Sequence, residues 1–142
     1  MAHGFVATLT AASFLALALP SPAGPMGSVA TIETDKGCKA YVYLQDHFDG
    51  PPPKMKFTGT CAAGKPISGK GKLMLPALAL GGTWINGVLD GAATIEPVGD
   101  DGKLGPADKA VFKMGCITSI GGQSGEMPGC TDAMAPYIKK AP

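Results

Sequence analysis

Three side chains that can move protons lie close together in the stretch Gln45–Asp49: Asp46, His47 and Asp49. An imidazole flanked by carboxylates is the minimal equipment for general acid–base catalysis, and the same donors can ligate a metal ion. A small secreted hydrolase using these residues is therefore one reading of the chain. The other is a solvated turn, because the cluster runs into Pro51, Pro52 and Pro53 and Asp is a common turn residue. Ser68, Ser119 and Ser124 lack the Gly-x-Ser-x-Gly setting of a nucleophile elbow, and beyond the N-terminal segment His47 is the only imidazole that could serve a triad. The turn reading is preferred, no residue is assigned a catalytic role, and no cofactor is called for.

Metal chemistry meets similar obstacles. Asp101, Gly102 and Asp108 fall at offsets that suit a calcium loop, but Pro97 and Gly99 stand where oxygen ligands are needed, so an EF-hand is excluded. Asp100 and Asp101 remain available to a weaker calcium site. The four cysteines, Cys38, Cys61, Cys116 and Cys130, show no pair at the spacing of a zinc knuckle. An even number in an exported chain reads instead as a disulfide framework, with three connectivities open. Order along the chain favours Cys38 with Cys61 and Cys116 with Cys130, each pair closing a modest loop that contains turn residues.

Charge points to a different kind of partner. The net charge of +1 conceals a block of five lysines with no acid between Gly50 and Leu89: Lys54, Lys56, Lys65, Lys70 and Lys72. A segment with one lysine and five acids follows, from Asp90 to Asp108. The basic block suits an anionic surface, lipid headgroups or polysaccharide, or else is neutralised when neighbouring strands pair. The chain has no arginine, and without arginine's bidentate fork nucleic-acid recognition is disfavoured. Tyr41, Tyr43 and Trp84 complete the candidate ligand-facing set, and a protein partner is the further possibility.

These residues must be carried by short strands. Residues 1–23 contain no Asp, Glu, Lys or Arg, run apolar from Val6 to Leu19 and end in small residues, the layout of a secretory signal peptide cut after Ala23. The remainder, 24–142, is sized for one exported domain, secreted or periplasmic, and its Gly and Pro content favours strands joined by turns. "AYVYLQ", "KMKFTGTC" and "GKLML" read as strands. "GGTWINGVLDGAATIEP" reads as a hairpin turning on Asn86-Gly87. "PADKAVFKM" is expected to begin a short helix with Pro106 in its first turn.

Laying "FTGTCAAGKPISGKG" over "LGGTWINGVLDGAA" exposes a repeat: Phe57, Gly59, Cys61 and Gly64 fall 23 residues before Leu80, Gly82, Trp84 and Gly87. One extra residue in the first copy then brings Gly69 over Gly91. These positions resemble MORN repeats, in which an aromatic, a glycine, a large residue, Asn-Gly and a further glycine build one hairpin. Gly82, Trp84, Asn86, Gly87 and Gly91 match, while Leu80 replaces the opening aromatic and Ala93 the last glycine. Gly37, Cys38 and Lys39 with Phe57, Gly59, Cys61 and Gly64 resemble the variant of secreted bacterial MORN-like proteins. The resemblance covers 37–95 and leaves 96–142 as a loop-rich C-terminal part.

The resemblance implies an all-β fold, a small antiparallel meander of MORN-like hairpins stapled by disulfides, and a non-enzymatic binding or structural role. It assigns no functional residues. Trp84 is either a sugar-stacking ring or the core anchor of its hairpin, and its repeat partner Cys61 favours the core.

Overall fold

The computed structural model describes residues 27–45, 48 and 50–139. The expected leader at 1–23 and the cluster of Asp46, His47 and Asp49 lie outside the described residues. The described residues are all-β apart from one short helix. Strands β1 (Ser28–Glu33) and β2 (Lys39–Leu44) form an antiparallel hairpin. Seven further strands form a second antiparallel sheet in sequence order: β3 (Phe57–Gly59), β4 (Gly69–Met74), β5 (Leu78–Ile85), β6 (Val88–Pro97), β7 (Asp108–Lys113), β8 (Cys116–Ile120) and β9 (Gln123–Ser124). Helix α1 (Cys130–Lys139) closes the described chain.

The meander follows from its turns. Asn86 and Gly87 have φ of 48° and 89° between the paired residues Ile85 and Val88. That is the two-residue hairpin in which both residues take positive φ, so its strand twist matches that of the sheet. Gly87 is needed for a second reason: a Cβ there would lie 2.7 Å from the Tyr41 ring. The close approach lets the Tyr41 N–H donate to the Gly87 carbonyl (2.7 Å), tying β2 to this turn.

The helix expected from Pro106 onward is not formed. Asp108–Lys113 is strand β7, with Ala110 and Phe112 buried and Lys109, Val111 and Lys113 exposed, a period of two that a helix cannot produce. Met114 and Gly115 make the following turn with φ of 48° and 87°. The Asp90 carboxylate accepts the Met114 N–H at 2.7 Å, which holds a non-glycine residue in this uncommon conformation. The C-terminal part thus contributes three strands and a helix besides its loops.

The hairpin lies on one face of the large sheet. Ile32, Ala40 and Val42 pack with Phe57, Leu73, Leu80, Trp84, Leu89 and Phe112 in the main core. Phe57, Leu73, Leu80 and Ile95 form one cross-strand row through β3 to β6, so the 23-residue period sets Phe57 and Leu80 at equivalent places in successive hairpins. Trp84 is 1% exposed, donates its indole N–H to the Gly71 carbonyl (3.1 Å) and meets Phe57 edge to face. A second cluster packs Cys130 and Met134 of α1 against Tyr43, Val88 and Cys116.

Both disulfides follow the favoured pairing. Cys38 is bonded to Cys61, with Cα atoms 6.1 Å apart, and Cys116 to Cys130, 5.9 Å apart. The first closes the excursion between β2 and β3, and the second fixes the start of α1 to the start of β8. Two bridges are consistent with an oxidising, extracytoplasmic environment. Among the described residues no helix is long and apolar enough to cross a membrane.

Candidate functional site

Strand alternation gives the large sheet a second face, turned away from the main core. Thr58, Lys72, Gly81, Thr94 and Lys109 form one cross-strand row there, from β3 through β7. Four interstrand steps of ~4.8 Å make the row roughly 19 Å long. Lys70 pairs with Thr83, which pairs with Asp90, and Val111 pairs with Ser119 alongside. This face carries a trough of 1210 Å³ whose lining includes Lys70, Lys72, Lys109, Asp90 and the hydroxyl residues Thr58, Thr83, Thr94 and Ser119. Gly81 and Ala92 keep its floor low.

The electrostatics are lopsided. Lys72 is paired with Glu96, whose side chain is only 15% exposed. Asp90 is held by the Met114 N–H. Lys70 and Lys109 are exposed and have no ion-pair partner among the described residues. A polymer laid along the row would meet ammonium groups from β4 and β7 with hydroxyl donors and acceptors between them. Lysine is a flexible point charge, suited to repeated carboxylates or sulfates whose exact placement varies.

The five-lysine block is therefore divided. Lys70 and Lys72 enter the trough, and Lys56 is exposed just ahead of β3. Lys54 stands 3.7 Å from Glu33 of the other sheet, and Lys65 is exposed in the connection between β3 and β4. Sequence reading missed Lys109, which lies beyond the acidic segment and reaches the trough only because β6 and β7 pair. The signal was present in "DKAVFK", whose alternation sets Lys109 and Val111 opposite Ala110 and Phe112.

The aromatic members of the candidate set are elsewhere. Trp84 belongs to the core, and Tyr43 is buried with its hydroxyl donating to the Pro128 carbonyl (2.6 Å). Tyr41 is half-buried against Tyr137, ring centroids 4.9 Å apart. Among the described residues no aromatic ring lines the trough, and none of the lining residues named there could stack on a sugar face. At the acidic loop Asp101 accepts the Lys103 N–H (3.0 Å), a local turn contact. The described residues contain no group of three or more His, Cys, Asp or Glu placed to hold a metal.

No protein-family model, curated protein or solved structure matches this chain.

Proposed function

We propose that this chain is an exported, non-enzymatic binding module, with MORN-like hairpins as its framework, that holds an anionic polysaccharide across the outer face of its seven-stranded sheet. The observation that carries the reading is the convergence of Lys70, Lys72 and Lys109 with four hydroxyl side chains in one trough. The lining lysines outnumber its one carboxylate, Asp90, which favours an anionic ligand, and the hydroxyls suit the dense hydrogen-bonding groups of a sugar chain. The described lining residues offer lysines and hydroxyls but no ring, which favours charge over stacking as the basis of recognition. Export agrees with the paired cysteines and with the leader-like sequence at 1–23.

Binding to immobilised polygalacturonate at low ionic strength tests the reading. The protein should be retained, released as salt approaches about 0.3 M where the screening length falls well below 10 Å, and indifferent to uncharged dextran. Lys70→Glu with Lys109→Glu should abolish retention while leaving thermal unfolding nearly unchanged, both residues being exposed. Retention that survives the double charge reversal would place the site elsewhere. Preference for anionic lipid vesicles over the polysaccharide would reassign the ligand.

A further inference from the structure

A second concavity lies on the opposite side of the large sheet, between it and the β1–β2 hairpin. This crevice has a volume of 410 Å³. Val42 and Leu44 line it from β2, and Leu80, Ile95 and Phe112 line it from β5, β6 and β7. The neighbours of the last three, Gly81, Thr94 and Val111, line the trough, so the two sites are on opposite faces of the same strands.

The lining chemistry is uniform. Among the described lining residues only Tyr43 and Gln45 carry polar side-chain groups, and neither is charged at neutral pH. The Tyr43 hydroxyl is committed, donating to the Pro128 carbonyl and accepting the Gly27 N–H at 2.9 Å. Gln45 is exposed and supplies a neutral amide. Protein interiors hold few voids larger than a water molecule, and this volume falls instead in the range of small-molecule sites. No described lining side chain is charged, so an ionic head drawn into the crevice would find no partner there and would have to stay outside in water.

We propose that this crevice binds an uncharged amphiphile through one linear hydrocarbon chain, inserted between Val42 and Leu44 on one side and Leu80, Ile95 and Phe112 on the other. The neutral head group remains near Gln45. The site is independent of polysaccharide binding: its occupancy depends on apolar area and not on lysine charge.

Displacement of the uncharged dye Nile red from the full-chain gene product by 1-alkanols tests this directly. Affinity should rise about fourfold per added methylene from hexanol upward, until the chain outgrows the crevice. Decanoate should displace the dye at least tenfold less well than 1-decanol, and added salt should leave alkanol affinity unchanged. Leu44→Trp, which fills the crevice from β2, should weaken 1-decanol binding at least tenfold while Lys70→Glu with Lys109→Glu leaves it intact. Should the tryptophan variant fail to fold, the wild-type length series still decides the matter. Failure to bind Nile red, an affinity independent of chain length, or equal binding of decanol and decanoate would overturn the proposal. So would binding that appears only after deletion of residues 24–26, which would make this chain's own N-terminal segment the occupant.

Discussion

Lys72 of β4 reaches the carboxylate of Glu96 on β6 by crossing Gly81, one side chain spanning the intervening strand β5. A Cβ at Gly81 would lie 3.4 Å from Lys72 Cε and 3.0 Å from Thr94 Oγ1, so any larger residue would crowd the lysine stem. The pair holds one of the trough's three ammonium groups against a partly buried acid. This sets a balance between fold stability and charge available to a ligand.

Glu96→Gln should shift that balance. The Lys72 side chain is 36% exposed, so loss of the pair should cost no more than about 1 kcal/mol in urea unfolding. Release of the lysine should tighten polygalacturonate binding about two- to fivefold at low salt. Unchanged or weaker binding in a folded E96Q protein would show that Lys72 takes no part in recognition.

Trp84 should prove structural. Replacement by Ala removes a nearly fully buried indole and should cost about 3–5 kcal/mol. Trp84→Phe retains most of the apolar bulk but leaves the Gly71 carbonyl without its donor, at a cost of about 1–3 kcal/mol. Denaturant midpoints measure both losses. Retention of W84F on polygalacturonate should match that of the parent, because the ring faces away from the trough.

The hairpin around Asn86-Gly87 was legible because its turn demands residues that tolerate positive φ, a requirement written in residue type. The disulfide pairing was legible because both bridges are local in sequence. The turn at Met114-Gly115 was not, since methionine gives no turn signal and the Asp90 carboxylate that holds it lies 24 residues away. That omission allowed Asp108–Lys113 to be read as helical. The true helix left a signal in Cys130, Met134 and Ile138, spaced by four and facing the second core cluster, but Pro136 within it obscures the pattern. The trough could not be read from composition: Lys70 and Lys72 are neighbours in sequence, whereas Lys109 joins them only through the strand register.

Removal of the Cys116–Cys130 bridge should loosen one end of the molecule. In the double Ala variant the 14-residue separation predicts a loss of about 3 kcal/mol. Hydrogen exchange should accelerate first in α1, where Met134 would then be the main remaining anchor on the core. Non-reducing peptide maps of the parent should yield Cys38 linked to Cys61 and Cys116 linked to Cys130. Uniform protection across α1 in the double variant would show that packing alone holds the helix.

Processing is open to direct measurement. N-terminal sequencing of protein recovered outside the cytoplasm should begin at Gly24, followed by Pro25 and Met26. An intact Met1 on soluble cytosolic material would refute export.

The large sheet is bordered by strands of three residues, β3, and two residues, β9. A sheet border offers unpaired amide and carbonyl groups to any passing extended chain, and long, flat borders seed fibrils. Borders this short offer an incoming strand few consecutive hydrogen bonds, and Cys61 ties the chain back to Cys38 just beyond β3. On the proposed export route no ATP-driven chaperone would accompany the chain. Here resistance to runaway polymerisation is built into where the meander stops.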